Sequence, residues 1–304
     1  SCSLVGSEMC IRDRLSITNP GEKVVIFSPF YENYGADTIL SGAEPIYVPL
    51  VPPEFHFDKE KLEDAFKQGA KALILCNPSN PCGKVFTMEE MQTIAELAKK
   101  YDAYVVTDEV YEHIVYAPNK HIYMQALEGM RERTIVCNSL SKTYSITGWR
   151  LGYVIANPQI IDRVKKVHDF LTVGAAAPLM EAAVVGLEFG DGYYDELAAH
   201  YAHMKEVFVG GLKKLGLKYT DPQGAYYVLV DVSEFGVKDD VKFCEWMTQF
   251  VGVAAVPGSS FFREDVHNLV RFHFAKQDDT LNEAIKRLAT LKEKAMNAKN
   301  VDWR

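Results

Sequence analysis

The sequence has no apolar run that approaches the roughly 20 residues needed for a membrane-spanning helix. Its first fourteen residues also lack the continuous apolar core of a secretory signal peptide. Neither a membrane span nor an intact leader is therefore predicted. A cytoplasmic location is the simplest interpretation, and a lost targeting segment remains an open alternative.

Positive charge is also scarce, because 33 lysine and arginine residues face 41 aspartate and glutamate residues. The formal net charge of -8 argues against nucleic acid as the main partner, since phosphate backbones attract basic surfaces. The chain also has no internal repeat and no low-complexity linker. These absences favour an ordinary globular protein.

Metal-type cysteine pairs are missing as well. The six cysteines include no CxxC spacing, and a chain of 304 residues does not need disulfides to hold a core. We therefore predict reduced cysteines that act mostly as small core residues, and no metal site. They are Cys2, Cys10, Cys76, Cys82, Cys137 and Cys244.

What the sequence does contain is an alternation of short apolar runs with helical periods. This alternation predicts an α/β fold, with a mostly parallel sheet covered by helices. A chain of this length can bury roughly 75% of its unfolded surface, so a sizeable core is available. The predicted strands are VVIF from Val24, PIYV from Pro45, ALILC from Ala72, AYVVTD from Ala103, TIVCNS from Thr134 and GYVIA from Gly152.

One helix is marked by a capping box, in which Thr87 is followed three residues later by Glu90. Its apolar positions repeat with helical spacing and predict a stripe that faces the core. The stripe consists of Met88, Met91, Ile94, Leu97, Ala98 and Tyr101.

After about residue 205 the spacing of the apolar runs changes, which predicts a smaller α+β domain. The large domain is placed at residues 15–205 and the small domain at residues 206–304. The small domain is expected to contain strands YYVLVDV from Tyr226, VAAVP from Val253 and LVRFHFA from Leu269, and a closing helix with Leu281, Ala284, Ile285, Leu288 and Leu291.

Polar residues concentrate where strands end, and ligands bind at strand ends in open α/β sheets. Four polar stretches lie there, and each of them taken alone has a structural explanation: a turn, a capping aspartate, a surface lysine or a structural ion pair. Their joint occurrence favours a functional site. The stretches are NPSNPCG from Asn77, TDEVY from Thr107, SLSKTYSITGWR from Ser139 and VRFHF from Val270.

Lys142 lies among residues too small to hold it by packing, and glycines flank the nearby Arg150. A lysine in a partly desolvated pocket has a lowered pKa and can form a Schiff base. The hydroxyls of Ser139 and Ser141, together with Arg150, suit a phosphate. Asp108 could keep a heterocyclic nitrogen protonated. Together these features describe pyridoxal phosphate chemistry.

The chain resembles the pyridoxal-phosphate-dependent aminotransferases of fold type I, class I/II, from about Leu15 to the C-terminal helix. SLSKTYSITGWRLG matches the lysine motif of the family throughout. The resemblance implies that Lys142 forms the Schiff base with the cofactor and then transfers the proton. It also implies that Asp108 pairs with the pyridine nitrogen and that Tyr111, the third catalytic residue, contacts the ring 3-oxygen.

The resemblance implies the remaining contacts too. Ser139 and Arg150, with Ser141 beside them, would hold the phosphate, and Tyr31 would stack on the ring. Asn80 would contact both the 3-oxygen and the substrate, and Arg271 would bind the substrate α-carboxylate. Gly224 and Tyr226 in PQGAYY are weaker candidates, and Cys82 departs from the threonine usual in the family turn.

The beginning of the chain also departs from the family pattern. An N-terminal arm and a glycine-rich phosphate-binding turn are expected before LSITNPGEKV, and Gly6-Ser7-Glu8 lies near that register. The residues that follow lack the helical apolar stripe, and the stretch is similar to translated adapter sequence. Residues 1–14 are therefore interpreted as a non-native scar.

The predicted function is transfer of an amino group between an L-amino acid and a 2-oxo acid by a ping-pong mechanism. A C-S lyase or related synthase on the same fold is an alternative, as is the aminotransferase-like sensing domain of a transcriptional regulator. The resemblance further implies a homodimer. The sequence does not identify the donor or the acceptor.

Overall fold

The computed structural model describes residues 2–4, 17–299 and 301–304. A large sheet has the strand order β1-β8-β7-β6-β5-β2-β3-β4. Its strands are β1 (Cys2–Leu4), β2 (Lys23–Ser28), β3 (Glu44–Val51), β4 (His56–Phe57), β5 (Ala70–Cys76), β6 (Tyr104–Asp108), β7 (Thr134–Ser139) and β8 (Gly152–Ile155).

The centre of this sheet is parallel. Strands β7, β6, β5, β2 and β3 pair in parallel, whereas β8, β1 and β4 join antiparallel to their neighbours. The predicted mostly parallel sheet is therefore confirmed, and each apolar run predicted for it lies in one of these strands or overlaps it.

Side chains of the parallel strands alternate between two apolar layers. Val25 and Phe27 of β2 belong to one cluster with Leu62 and Met91, whereas Val24 and Ile26 belong to another with residues such as Ile160. Helices therefore cover both faces, as buried parallel strands require. These helices are α1 (Asn33–Leu40), α2 (Lys59–Lys67), α3 (Met88–Lys100) and α5 (Pro158–Thr172), while α4 (Leu140–Thr143) and α6 (Ala177–Leu187) follow β7 and α5 in the chain.

Helix α3 begins with the predicted capping box. Thr87 accepts a hydrogen bond from the backbone N–H of Glu90, and the Glu90 side chain accepts one from the N–H of Thr87. The predicted stripe is buried at its centre but not at its ends. Met88 is 47% exposed and Tyr101 is half-buried. The prediction was wrong for Met88 because the first turn of α3 extends beyond the layer that the helix covers.

A second sheet of four strands has the order β11-β12-β10-β9. The predicted VAAVP strand is only two residues long, because residues 253–255 are irregular and only Val256 and Pro257 pair with β12. The predicted closing helix is interrupted at residues 289–290. The elements here are α7 (Asp191–Lys214), β9 (Lys218–Tyr219), β10 (Tyr227–Asp231), α8 (Asp240–Phe250), β11 (Val256–Pro257), β12 (Leu269–His273), α9 (Asp278–Leu288) and α10 (Leu291–Asn297).

The predicted domain boundary at residue 205 lies inside α7, so the chain passes between the two sheets along a continuous helix. The division into residues 15–205 and 206–304 stays a prediction.

Of the segment interpreted as a scar, the structure describes only Cys2–Leu4, which pairs antiparallel with β8. Gly6, Ser7, Glu8 and the rest of residues 5–14 lie outside the described residues. Four cysteines are buried and free, as predicted, and they are Cys76, Cys82, Cys137 and Cys244. The side chains of Cys2 and Cys10 lie outside the described part. None of the described helices is both long and apolar enough to cross a bilayer.

Candidate active site

The candidate site lies at the carboxyl ends of the central parallel strands. Cys76 at the end of β5 is in register with Asp108 at the end of β6, and Asp108 is in register with Cys137 of β7. Strand β7 then ends at Ser139, where α4 begins. The parallel arrangement therefore brings the ends of separate sequence motifs to one edge of the sheet.

A cavity of about 230 Å³ opens at this edge. The structure brings eight of the predicted site residues together around it, namely Tyr31, Asn80, Asp108, Tyr111, Ser139, Ser141, Lys142 and Arg150. Of the other candidates, Arg271 lies next to the cavity through its contact with Asn80, whereas Gly224 and Tyr226 do not line it. Two tyrosines also line the cavity and were not predicted from the sequence, namely Tyr34 and Tyr227.

Lys142 is half-buried in the short helix α4. Its Nζ lies 5.9 Å from the ring centroid of Tyr226 and has neither a hydrogen-bond acceptor nor an ion-pair partner among the residues that the structure describes. Burial lowers the pKa of this amine, and the positive charge of Arg150 lowers it further, while the Asp108 carboxylate opposes both effects. A larger fraction of Lys142 is therefore neutral, and its amine has no hydrogen-bond or ion-pair partner among the described residues.

Asp108 faces the same cavity from the end of β6. Its Oδ2 accepts a hydrogen bond of 2.6 Å from the Tyr34 hydroxyl, and its Oδ1 accepts one of 3.3 Å from the backbone N–H of Val110. Burial raises the pKa of this carboxyl, and the two hydrogen bonds counteract part of that rise. A cationic partner in the cavity would stabilise the ionised carboxylate.

The predicted phosphate-binding residues lie at the start of α4. Ser139 caps this helix by accepting from the N–H of Ser141, and the two hydroxyl oxygens are 2.6 Å apart. Arg150 is exposed at the cavity rim in a left-handed conformation with φ +59°, and its guanidinium donates to the carbonyl of Thr147. Two hydroxyls and a guanidinium therefore line one end of the cavity.

Arg271 lies between two aromatic rings. Its Cζ is 4.4 Å from the ring centroid of Tyr227 and 4.2 Å from that of Phe261. One guanidinium nitrogen donates a hydrogen bond of 2.6 Å to Oδ1 of Asn80. The rings and the amide fix the plane of the guanidinium, and its remaining donors suit a carboxylate.

Tyr111 lines the cavity and is almost fully buried. Its hydroxyl lies 2.9 Å from that of Tyr227. Burial, together with the neighbouring tyrosines, raises its pKa well above the ordinary value. Tyr111 is therefore a protonated hydrogen-bonding group throughout the neutral range.

The turn at residues 77–83 holds Asn80 in place by docking against the PQGAYY segment. The carbonyl of Gly83 accepts hydrogen bonds of 2.8 Å from the N–H groups of Gln223 and Gly224. A Cβ on Gly224 would lie 2.7 Å from Cγ of Pro78, so only glycine allows this approach. Cys82, the departure from the family turn, contacts the Ser79 hydroxyl at 3.3 Å and stays within the turn.

Tyr34 and Tyr227 were missed for different reasons. Tyr34 follows the predicted Tyr31 at a spacing of three residues, which places both on the same side of a helical turn and could have indicated it. Tyr227 is the second tyrosine of PQGAYY, and only the register of β10 against β12 decides which of the two faces Arg271.

The donor set fits pyridoxal phosphate. The Lys142 amine can react with an aldehyde, and the Asp108 carboxylate can pair with a protonated ring nitrogen. The Ser139 and Ser141 hydroxyls and the Arg150 guanidinium can bind a phosphate. The fold and the site together define the class of pyridoxal-phosphate-dependent enzymes of fold type I.

Comparison with known proteins narrows this class. The family described as aminotransferase class I and II matches residues 7–288, and the chain belongs to this family. It is therefore a pyridoxal-phosphate-dependent transaminase.

Two relatives illustrate the similarity. The chain is 35% identical over 292 residues to the probable N-succinyldiaminopimelate aminotransferase DapC of Mycobacterium tuberculosis, covering 92% of this chain and 74% of the relative. It is 34% identical over 298 residues to kynurenine--oxoglutarate transaminase 3 of Rattus norvegicus, covering 88% of this chain and 66% of that protein. The solved structure of N-succinyldiaminopimelate aminotransferase from Mycobacterium tuberculosis has a TM-score of 0.91 at 34% identity, with 95% of this chain and 77% of that one covered.

Proposed function

We propose that this transaminase uses Lys142, Asp108 and Tyr111 as its catalytic residues, with an L-amino acid as donor and a 2-oxo acid as acceptor. The observation that supports this most directly is the lysine amine without a partner, which shares a cavity with the Asp108 carboxylate. When bound, pyridoxal phosphate supplies an aldehyde for the amine and an electron-withdrawing ring.

Seven residues hold that cofactor in the proposal. Asp108 keeps the ring nitrogen protonated, and the burial that raises the pKa of its carboxyl makes an ionic partner favourable there. Ser139, Ser141 and Arg150 hold the phosphate, with Arg150 contributing from the exposed rim. Tyr31 covers the ring, and Asn80 and Tyr111 donate hydrogen bonds to the 3-oxygen.

Lys142 has a second role as the proton carrier. The lowered pKa of Lys142 increases the fraction of neutral amine. With the cofactor bound, this amine could remove the α-proton of the substrate and then deliver a proton to the cofactor carbon. No described residue forms a hydrogen bond or ion pair with Nζ, so no such bond has to break when the side chain moves between these positions.

Arg271 binds the α-carboxylate of the substrate in this proposal. The rings of Tyr227 and Phe261 and the Asn80 amide fix the guanidinium beside the cavity. Such a contact selects for α-amino and α-oxo acids in general and leaves the side chain of the substrate undefined. The named relatives act on different substrates, so the donor is assigned only as an amino acid.

The proposal is tested by assaying the purified protein with pyridoxal phosphate, 2-oxoglutarate and amino acids with charged, aliphatic, aromatic and sulfur-containing side chains. Glutamate formation with at least one donor is expected. Release of pyruvate, ammonia and a thiol from an S-substituted cysteine without glutamate formation would favour the lyase alternative. Cofactor binding without turnover of any donor would favour the sensing-domain alternative.

We further propose that the enzyme is a homodimer. Helix α6 is apolar along most of its length, yet Ala183 is the only residue of this helix that is buried. Apolar residues at the end of α5 and directly after it are exposed as well, including Phe170 at 91% and Val173 at 81%. An apolar surface of this kind is typical of an interface. Sedimentation analysis should give twice the monomer mass, and Phe170→Asp should reduce it.

The remaining proposals concern location and partners. The acidic net charge of -8 supports small-molecule substrates in preference to nucleic acid, and we place the enzyme in the cytoplasm without a membrane partner.

A further inference from the structure

Tyr227 contacts two residues of the proposed site, Tyr111 and Arg271. Its hydroxyl lies 2.9 Å from the hydroxyl of Tyr111, and its ring lies under the guanidinium of Arg271 at 4.4 Å. Tyr111 and Tyr227 are only 3% and 9% exposed, so bulk water competes little for the bond between them. The bond is therefore shielded from solvent, and either hydroxyl can be its donor.

The direction of this hydrogen bond follows from the role proposed for Tyr111. A phenol hydroxyl has one proton to donate and two lone pairs with which to accept. When Tyr111 donates its proton to the 3-oxygen of the cofactor, it can only accept from Tyr227. Donation into the Tyr111 oxygen polarises its O–H bond, because hydrogen bonds in a chain strengthen one another.

We propose that Tyr227 is a positioning residue that directs the Tyr111 proton toward the cofactor 3-oxygen. The inference rests on the proposed function, since it assumes that Tyr111 contacts the 3-oxygen. Tyr227 itself acts through Tyr111, while its ring independently supports Arg271. The hydroxyl and the ring therefore have separable effects, which one substitution can distinguish.

Tyr227→Phe removes the hydroxyl and keeps the ring beneath Arg271. A matched control is Tyr116→Phe, which also removes a buried tyrosine hydroxyl, here one that donates at 2.5 Å to the carbonyl of Ala225, away from the cavity. Both variants and the parent are prepared with bound pyridoxal phosphate. The visible absorbance of the bound cofactor is then titrated with pH, and KM is measured with one donor.

The titration reports the strength of donation to the 3-oxygen. A donor at that oxygen stabilises the deprotonated form of the chromophore, so weaker donation lets the chromophore keep its proton to higher pH. We expect the midpoint of Tyr227→Phe to rise by about half a pH unit, the size of a cooperative hydrogen-bond effect. The KM should stay within twofold of the parent, and Tyr116→Phe should match the parent in both measurements.

A Tyr227→Phe titration that superimposes on the parent would overturn the proposal, as would an equal shift in Tyr116→Phe. A tenfold rise in KM without a shifted midpoint would place the effect at Arg271 instead and also refute it. Failure of the proposed function itself gives a different result. In that case the parent enzyme itself, after borohydride reduction, carries no cofactor on Lys142.

Discussion

The Tyr34 hydroxyl donates a hydrogen bond of 2.6 Å to Oδ2 of Asp108, from helix α1 to the end of strand β6. This bond lowers the pKa of a carboxyl that burial raises, so Tyr34 helps to keep Asp108 ionised. The two residues are 74 positions apart in the chain and meet only because β5 lies between β2 and β6 in the sheet.

Tyr34→Phe should therefore make Asp108 a weaker partner for the cofactor ring nitrogen, the role proposed for this carboxylate. We expect kcat to fall by about tenfold, the effect of losing one hydrogen bond of about 1.5 kcal/mol to a charged group. The measurement is a double-mutant cycle with Asp108→Asn. If Tyr34 acts through the carboxylate charge, Tyr34→Phe should have little further effect once Asp108 is neutral, and additive losses would contradict this role.

Asp108 should also make the stability of the cofactor-free protein depend on pH. Its pKa in the folded protein lies above the ordinary 3.8, so the folded state holds the proton to higher pH than the unfolded chain does. The contribution of Asp108 to stability is therefore full below pH 3.8 and declines as pH rises through the folded-state pKa.

Asp108→Asn should remove this decline, because asparagine is neutral and its carbonyl oxygen can still accept from Tyr34. Thermal unfolding of the cofactor-free protein between about pH 4 and 8 should show the variant gaining in Tm relative to the parent as pH rises. A constant difference across that range would argue against a raised pKa at Asp108. Transaminase activity of the variant should fall by orders of magnitude.

Lys142→Ala should abolish transamination without loss of fold. No described residue forms a hydrogen bond or ion pair with Nζ, so the substitution removes no polar contact among them. Borohydride reduction of the loaded parent enzyme followed by peptide mapping should label Lys142, and the variant should remain unlabelled. The control is Lys71→Ala, an exposed lysine of β5, which should keep both label and activity. Label on any other lysine would refute the assignment.

Arg271→Leu should raise KM for amino acid and 2-oxo acid substrates alike. A charge-assisted contact contributes about 1.5–3 kcal/mol, which corresponds to about one to two decades in affinity. Arg271→Lys should retain only part of this affinity, because an ammonium lacks the planar fork of the guanidinium. An exposed arginine, Arg131, provides the control substitution to Leu. Unchanged KM values in Arg271→Leu would exclude the carboxylate role.

Gly224→Ala should separate the turn at residues 77–83 from the PQGAYY segment. The added Cβ would lie 2.7 Å from Cγ of Pro78 and 2.9 Å from the carbonyl oxygen of Ile114. Overpacking of this kind costs about 1–3 kcal/mol, and the displaced turn carries Asn80 away from Arg271. We expect a lower Tm together with a raised KM. Gly192→Ala, where a Cβ would meet no atom of the described residues within 4 Å, should neither lower Tm nor raise KM.

The amino-acid sequence by itself determined the parallel-sheet architecture and the start of α3, and it indicated most of the candidate site residues that meet around the cavity. These features depend on local patterns: apolar runs in VVIF and ALILC, a capping box at Thr87, and polar residues directly after strands. SLSKTYSITGWR contains Lys142, the hydroxyls of Ser139 and Ser141, and Arg150 within twelve residues. The chemistry of this stretch can therefore be predicted without knowledge of the fold.

Tertiary structure alone decided which distant residues meet. Arg271 contacts Asn80 across 191 residues, and Tyr34 and Tyr227 reach Asp108 and Tyr111 through the order of strands in the sheet and the register of β10. Packing also left Met88 exposed and shortened β11 to two residues. Such features arise from how separate elements stack against each other, and periodicity within one element carries no information about its neighbour.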